Sequence, residues 1–307
     1  MISLTVVIIT KDEEQNIGHC LKSLTGLPER VVIVDSGSTD RTKMIAKGYA
    51  RRFKRYGCRL DFCTRGWKGY SDQLNWAFTR TKIDTDWIMR LDADETVTAE
   101  LKAELMERLP REKQSVTGIV LKRRVYFMGR WIKHGGKYPE KLLRIFRTGR
   151  GKCEERLMDE HLVTDGRIKE YRNDIIDLNR KPLSFWIDKH NRYSELEAKA
   201  YFLERERDGG QSPAAGGKVG TGSLKGSGSQ SEAKKALKGW YYRLPPFFRA
   251  LLYFKYRYFL RLGFLDGTEG LIYHFLQAFW YRFLVDAKIR ELQGMRPAVD
   301  GRKEGGS

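Results

Sequence analysis

The sequence predicts an α/β fold in which a mixed sheet is flanked by helices and followed by a helical, amphipathic C-terminal appendage. Three observations support this prediction. In the first hundred residues, short β-branched runs alternate with segments whose apolar residues recur at helical spacing, as in right-handed βαβ units. Between residues 117 and 147 two strand patterns follow each other without a helix, which favours a mixed sheet. From residue 238 onward the composition becomes basic and aromatic.

The order of the elements follows from these local patterns. Strands are predicted at 4–9, 31–34, 59–63, 87–91, 117–127 and 141–147, and helices at 17–24, 71–80 and 185–207. Thr98 is the expected N-cap of a further helix that ends before Pro110. The side chains expected to face the core from the helices include Met44, Ile45, Leu74, Ala77, Phe78, Leu101, Leu105, Met106, Leu109, Trp186, Tyr193, Ala200 and Leu203.

Three acidic residues follow the apolar run Trp87 to Leu91. A strand there would deliver Asp92, Asp94 and Glu95 together at its carboxyl end, where ligands bind in open α/β sheets. Carboxylates that close repel one another unless a cation joins them, so the cluster indicates a hard divalent ion, Mg²⁺ or Mn²⁺. The alternative is a capped turn before the next helix. The similar triplet Asp84 to Asp86 precedes the strand, where a solvated turn is expected.

The charge balance narrows the class of partner. With 58 basic and 39 acidic residues, the chain of 307 residues has a net charge of +19. Such a surface attracts nucleic acid, anionic lipid head groups or a phosphorylated substrate. No nucleic-acid-binding motif accompanies the charge, so nucleic-acid binding is only a remote alternative. The four cysteines lack the spacing of a zinc site or a disulfide scaffold, and a reducing cytosol fits them.

The C-terminal composition indicates contact with a membrane surface. Arg249, Tyr253, Arg257 and Arg261 recur every four positions within an apolar helix pattern, which is typical of a helix lying in a membrane interface. The alternative is a helical hairpin that packs on the catalytic domain and keeps its arginines in water. A second apolar helix is expected over 271–285. No run reaches the roughly 20 apolar residues of a spanning helix, and no secretory signal is visible, so a cytoplasmic location is expected.

These patterns divide the chain into five regions. The expected regions are a catalytic domain at 1–180, a helix packing on or extending from it at 181–208, a flexible linker or disordered loop at 209–237, a basic aromatic membrane-associating region at 238–290 and a disordered tail at 291–307.

Three motifs together resemble a known family. The segments 5–17 (TVVIITKDEEQNI), 31–40 (VVIVDSGSTD) and 86–95 (DWIMRLDADE), in this order, resemble the inverting glycosyltransferases of family 2, which have the GT-A fold. The resemblance covers roughly residues 3 to 165. The segments 69–77, 134–139, 142–147 and 262–267 resemble the branch that contains lipopolysaccharide-core β-glucosyltransferases and exopolysaccharide transferases.

The resemblance implies a donor site and a metal site. Asp94 matches the ligand that holds Mg²⁺ or Mn²⁺ on the diphosphate, and Asp92 would lie by the ribose and the metal. Asp35 matches the carboxylate that pairs with uracil. The other residues implied for the donor pocket are Thr10, Glu13, Lys68, Gln73 and Asn75.

The general base is implied less directly. The branch carries a Val-His-Glu segment whose glutamate is the proposed base, and Glu160 takes that position. Here Asp159 replaces the histidine and His161 follows the glutamate, so the choice among these three stays open, and His161 is also a candidate metal ligand. A merely solvated loop is the alternative for the segment.

Weaker candidates for contact with the acceptor or with phosphate are His134, Trp131 and Arg144. A surface role for the histidine and a core role for the tryptophan are the alternatives.

The expected function is transfer of glucose or an N-acetylhexosamine from a UDP-sugar to a hydroxyl of a lipid-linked glycan, lipopolysaccharide or exopolysaccharide. The alternative within the enzymes is a polyprenyl-phosphate glycosyltransferase. The expected location is peripheral, on the inner face of the bacterial cytoplasmic membrane, with an anionic membrane surface or a second copy of the chain as the partner of the C-terminal helices.

Overall fold

A computed structural model describes residues 1–155, 161–207, 241 and 244–294. The first half consists of β1 (Ile2–Thr10), α1 (Ile17–Leu24), β2 (Pro28–Asp35), α2 (Thr42–Arg55), β3 (Arg59–Thr64), α3 (Tyr70–Arg80), β4 (Trp87–Arg90), β5 (Glu95–Val97) and α4 (Ala99–Arg108). A 3₁₀ turn (Leu109–Arg111) leads to β6 (Val116–Phe127), β7 (Arg130–Trp131), β8 (Glu140–Arg147), β9 (Gly151–Cys153), β10 (Leu162–Thr164), β11 (Arg167–Leu178) and α5 (Leu183–Arg207).

The C-terminal helical region, residues 248–294, consists of short helical pieces. These are α6 (Phe248–Lys255), a π-helical turn (Tyr256–Leu260), a 3₁₀ turn (Gly263–Asp266), α7 (Gly267–His274), a second π-helical turn (Phe275–Trp280) and α8 (Tyr281–Gly294). The predicted helix over 271–285 is therefore divided by a π-helical turn and continues beyond its predicted end.

The main sheet is mixed, as predicted. Its strand order is β3-β2-β1-β4-β8-β6-β11-β5, and β7 pairs with β6. Strands β1 to β4 are mutually parallel, β8 is antiparallel to both β4 and β6, and β11 is parallel to β6. The carboxyl ends of β1, β2, β3, β4, β6 and β11 therefore lie along one edge, together with the start of β8. We call this the carboxyl edge.

Apolar side chains cover both faces of the sheet. Along β1, Val6 and Ile8 belong to a buried cluster that includes residues of α1, α2 and α4, whereas Val7 and Ile9 belong to a second cluster with residues of α3. A strand that is buried on both faces reads as a continuous apolar run, which is why these strands could be predicted. Thr98 caps α4 as predicted, because its hydroxyl accepts a hydrogen bond from Leu101 N at 3.1 Å.

Three residues predicted to face the core are exposed instead. Met44, Met106 and Leu203 are 62%, 44% and 46% exposed. Consecutive helical residues point about 100° apart, so of two adjacent apolar residues only one needs to face the core. On α4 the buried position next to Met106 belongs to Leu105, while Glu104 is also buried and accepts hydrogen bonds from backbone N–H groups of β11.

Two arginines of the basic stripe in the C-terminal helical region face inward, so the prediction that the stripe lies on a surface is wrong for them, whereas Arg261 is exposed. Arg249 and Arg257 are each 4% exposed. Arg249 pairs with Asp286, and Arg257 Nε donates to Gly135 O at 2.8 Å. The physical reason is that both guanidinium groups find buried acceptors in other segments. The alternative expectation is a hairpin that packs on the catalytic domain and keeps its arginines in water. The packing is observed, since Tyr273 contacts Phe127 of β6, but the expectation is wrong for the same two arginines.

The outer face of the C-terminal helical region is apolar. We call its exposed side chains the aromatic surface; they are Phe248, Leu251, Tyr256, Phe259, Leu260, Leu262, Phe264, Leu265, Leu271, Phe275 and Phe283. Ring contacts through Phe254 and Tyr258 connect Phe259, Phe264 and Phe275. Within the described residues no helix is both long and apolar enough to cross a bilayer.

Candidate active site

A buried group of charged side chains lies at the carboxyl edge. Arg144 of β8 donates to Glu95 Oε1 and reaches Asp92 Oδ2 at 3.4 Å. The other Asp92 oxygen accepts from Arg90 Nε at 3.2 Å, and Glu95 Oε2 accepts from Asp92 N at 3.0 Å. Antiparallel pairing of β4 with β8 brings these groups together, because Met89 lies opposite Ile145. Arginines of β4 and β8 therefore compensate the charges of Asp92 and Glu95.

The two carboxylates respond differently to the same environment. Burial raises the pKa of Glu95, and although Arg144 opposes this shift, the pKa stays above its usual range. Burial also acts to raise the pKa of Asp92, but the charges of Arg90 and Arg144 outweigh it and hold the pKa below its usual range. Asp92 is therefore held as an anion whose two oxygens already have partners.

Asp94 differs from Asp92 in having an unused oxygen. Its Oδ2 accepts from Asn179 Nδ2 at 3.0 Å, and no residue in the described ranges donates to the other oxygen. Nor do the described residues contain a group of three or more His, Cys, Asp or Glu side chains arranged around one metal position. Mg²⁺ is commonly held by one or two carboxylates plus substrate phosphates. Asp94 therefore fits a divalent ion whose other ligands come from a bound diphosphate.

Thr10 and Asp35 lie side by side at the ends of β1 and β2, where the strand register pairs them. The Thr10 hydroxyl is buried and has no hydrogen-bond partner in the described part of the chain. The Asp35 carboxylate accepts from Gly37 N at 3.1 Å and from Ser38 N at 2.9 Å, so it also fixes the turn after β2. An unsatisfied buried hydroxyl at this edge leaves a donor and an acceptor available to a ligand.

Glu13 joins the start of α5 to the turn after β1. Its two oxygens accept from Lys181 Nζ at 2.6 Å and from Asn16 Nδ2 at 2.7 Å. Burial raises the pKa of Glu13, although both hydrogen bonds oppose the shift. Through these contacts the Glu13 carboxylate stabilises the connection between the turn after β1 and the start of α5.

The remaining donor-pocket candidates fall into two groups. Lys68 is exposed on the loop after β3. Gln73 is buried and donates to Ser36 Oγ at 3.0 Å, and Asn75 exchanges two hydrogen bonds with the backbone of Cys153, at 2.9 and 2.8 Å. Gln73 thus fixes the turn after β2, and Asn75 fixes the end of β9.

Asp159 and Glu160, the candidates for the general base, lie outside the described residues. His161 is exposed, and its carbonyl accepts from Glu154 N at 2.9 Å. The small β9–β10 sheet brackets this segment, since Cys153 pairs with Leu162.

The loop with His134 belongs to a contact between the sheet and the C-terminal helical region. His134 Nδ1 lies 2.6 Å from Asp266 Oδ1, and His134 N donates to Asp266 Oδ2 at 2.9 Å. Gly135 has a φ of +67°, and a Cβ there would lie 2.1 Å from His274 Cε1, so only glycine fits. His134 therefore has a structural role in this contact.

Trp131, the other aromatic candidate, packs edge-on against Tyr138 with 5.1 Å between the ring centroids. The Arg124 guanidinium lies 5.0 Å from the Trp131 ring centre. Both rings are half-buried, so neither side chain is a purely core residue.

Charged residues that the sequence did not single out extend the buried group. Arg123 of β6 lies 3.0 Å from Glu140 and 3.3 Å from Asp177, and Lys137 lies 3.0 Å from Glu140. Burial raises the pKa of Asp177, Arg123 opposes this, and Asp94 adds to it, so that the net shift is upward. Their charge alone could not have identified Arg123 and Asp177, because both strands carry several other charged residues.

The structure thus combines a mixed α/β sheet with a charged cluster and Asp94 at the carboxyl edge, which is where ligands bind in open α/β sheets. The family described as "Glycosyl transferase family 2" matches residues 5–163. That is more than half of the chain, and the chain belongs to this family. It is a glycosyltransferase, and the predicted family, enzyme class and GT-A architecture are confirmed.

Relatives of known sequence include lipopolysaccharide-core glycosyltransferases. The chain is 28% identical over 308 aligned residues to the lipopolysaccharide core biosynthesis glycosyltransferase LpsC of Rhizobium meliloti, with 97% of this chain and 96% of LpsC covered. An uncharacterized glycosyltransferase of Rickettsia bellii is 33% identical over 102 residues, which is 33% of this chain and 31% of that protein.

Similar solved structures belong to more distant proteins. The mannosyltransferase PcManGT of Pyrobaculum calidifontis, solved with GDP-Man and Mn²⁺, is 15% identical with a TM-score of 0.49, covering 96% of this chain and 88% of PcManGT. Residues 1–349 of S. aureus TarS give 16% identity and a TM-score of 0.40, covering 100% of this chain and 98% of that chain.

Replacing Arg144 by methionine should destabilise the fold strongly, because it leaves Glu95 and Asp92 buried without this partner. Removing one member of a buried pair typically costs about 3 to 5 kcal/mol, measured here as the free energy of unfolding in urea. The matched control is Arg150→Met, whose pair with Asp165 is exposed and should contribute little. A loss for Arg144→Met no larger than that of the control would contradict this account of the site.

Proposed function

We propose that this glycosyltransferase moves a sugar from a UDP-sugar to a hydroxyl of a lipopolysaccharide-core or lipid-linked glycan, with inversion at the anomeric carbon. The observation that carries the proposal is the open oxygen of Asp94 at the carboxyl edge, next to the strand ends that hold Thr10 and Asp35. The acceptor class is supported by the similarity to LpsC, which extends over 97% of the chain.

The donor would lie along the carboxyl edge with its base at Asp35 and its diphosphate at Asp94. The unpartnered Thr10 hydroxyl is available to the nucleoside. Asp92, which Arg90 and Arg144 hold as an anion, would contact the ribose in this proposal. Asp94 would hold Mg²⁺ or Mn²⁺, which when bound supplies positive charge to the leaving diphosphate. Lys68, exposed after β3, can reach the donor from outside.

We assign the general base to Glu160, with Asp159 as the alternative. An acceptor hydroxyl is a weak nucleophile at neutral pH, and a carboxylate within hydrogen-bond reach removes its proton as the oxygen attacks. The new C–O bond forms on the face of the sugar opposite the departing diphosphate, so an α-linked donor gives a β-glycoside.

Donor and metal binding can be tested by thermal unfolding with a panel of nucleotide sugars, with Mn²⁺ or with a chelator. A ligand present at about 100 times its dissociation constant adds ~2.7 kcal/mol of stability. We expect a metal-dependent rise in Tm with a UDP-sugar, lost in Asp94→Ala. Asp84→Ala is the control, because Asp84 belongs to the other Asp-x-Asp triplet and is exposed. No response of the wild type to any nucleotide sugar would refute the proposal.

The assignment of the base can be tested with Glu160→Gln in a transfer assay. A general base contributes typically ~10² to 10⁴ in rate, so kcat should fall by that factor while donor affinity is unchanged. Glu155→Gln, at an exposed position five residues earlier in the sequence, should keep normal kcat. If Asp159→Asn lowers kcat and Glu160→Gln does not, the base is Asp159. Assays with lipopolysaccharide core and with polyprenyl phosphate as acceptors separate the two acceptor classes.

The C-terminal helical region is proposed to dock on the inner face of the cytoplasmic membrane through the aromatic surface. Leu260 is 76% exposed, and the exposed cations Lys255 and Arg261 lie in the same segment. Arg130 is also exposed and donates to Leu265 O at 3.5 Å. An apolar patch bordered by cations complements an anionic lipid surface. In this proposal residues 1–180 form the catalytic domain and 238–290 the membrane-associating region.

Vesicle flotation tests the docking surface. The wild type should bind vesicles that contain anionic lipid, and Phe259→Ser with Leu260→Ser should lower the partition coefficient at least ~10-fold, because each large apolar side chain contributes about 1.5 to 3 kcal/mol when buried. Met44→Ser with Met106→Ser removes two exposed apolar residues elsewhere and should not change binding. Loss of a dimer, seen by sedimentation, without a change in vesicle binding would assign the surface to a second copy instead.

A further inference from the structure

The connection from β11 to α5 is fixed to the candidate active site. Asn179 binds Asp94, and Arg180 N donates to Asn16 Oδ1 at 2.9 Å. Lys181 pairs with Glu13 at 2.6 Å. These contacts set the direction of α5, whose first turns therefore pass over the carboxyl edge.

Lys189 lies on the side of α5 that faces this edge. Its charge interacts with the carboxylates of Asp94 and Asp177 and with the phenols of Tyr70 and Tyr193. The ammonium lies 5.7 Å from the centre of the Tyr193 ring. The side chain is half-buried, so part of its hydration is lost.

The ammonium of Lys189 differs from neighbouring cations in its contacts. Arg123, Lys137 and Arg144 each have a carboxylate partner. For Lys189, by contrast, the described ranges provide no hydrogen-bond acceptor and no carboxylate within 4.0 Å. A partly desolvated ammonium with open donor positions is an incomplete site for an anion.

We propose that Lys189 binds the diphosphate of the nucleotide-sugar donor beside Asp94 and stabilises the nucleoside diphosphate as it leaves. The inference rests on the proposed donor site and adds a residue to it. In the transfer step the bond between the anomeric carbon and the phosphate oxygen breaks, and its electron pair goes to that oxygen. The acceptor oxygen forms the new bond and its proton passes to the base. Lys189 transfers no proton; it offers a fixed positive charge where negative charge develops.

The arrangement also explains why Lys189 has no ion pair with a side chain of the described residues. A salt bridge to Asp94 would occupy the oxygen that the metal needs, whereas the Tyr193 ring, 5.7 Å from the ammonium, carries no full charge. Lysine is a common phosphate ligand in proteins because its three donors adapt to the tetrahedral oxygens.

The test compares UDP and uridine binding by titration calorimetry, with Mn²⁺ and with EDTA. If Lys189 contacts the diphosphate, Lys189→Met should bind UDP at least ~10-fold more weakly than wild type in both conditions, while uridine affinity stays within about twofold. Lys199→Met is the matched control, since Lys199 is exposed on the same helix, and it should behave like wild type. Lys189→Arg should retain part of the preference for UDP.

Two results would overturn the inference. One is that Lys189→Met binds UDP with the same affinity as the wild type. The other is that Lys189→Met loses UDP affinity only when Mn²⁺ is present, which would mean that Lys189 merely orients Asp94. If the wild type itself binds neither UDP nor any other nucleoside diphosphate, the proposed donor site fails instead, so the two failures are distinguishable. Equal unfolding temperatures of Lys189→Met and Lys199→Met confirm that the fold is intact.

Discussion

The contact between Arg144 and the carboxylates of Asp92 and Glu95 is the interaction on which the candidate active site depends. Of the acidic residues that follow β4, Glu95 is buried and Asp92 is half-buried, and both need cations beside them because an isolated buried charge costs far more than the fold can supply. Strand β8 runs antiparallel beside β4 and places the guanidinium among them. The antiparallel position of β8 in the mixed sheet thus supplies the cation that these carboxylates need. With Asp92 and Glu95 neutralised, Asp94 is left with an oxygen free for a ligand.

Carboxylates around the site are likewise paired with cations. Arg123 and Lys137 balance Glu140 and Asp177 on the neighbouring strands. Each carboxylate has a near partner, so the edge can be rich in acid without being strongly negative. Such a site tolerates the diphosphate of a donor, which a purely acidic cleft would repel. For Lys189 the described residues provide no carboxylate within 4.0 Å, and from this lysine we infer a direct contact with that diphosphate.

The C-terminal helical region contacts the loop after β7, and it also packs against β6 and α5. Asp266 holds His134, and the carbonyl of Gly135 accepts from the buried Arg257. Lys137 of this loop enters the charged group at the carboxyl edge. The C-terminal helical region, which carries the proposed membrane-docking surface, and the carboxyl edge therefore both contact the loop of residues 134–137.

Local pattern determined much of the fold: the strands and helices, the cap at Thr98 and the placement of Asp94 after a buried strand all follow from spacing along a few residues. Tertiary structure alone decided which charges are buried. Arg249 has the spacing of a surface stripe, yet Asp286, far along the chain, draws it inside. Likewise nothing near Lys189 in sequence reveals that it faces Asp94. A periodic pattern records which side of an element is apolar, whereas the partner of a charge is set by the packing of distant segments.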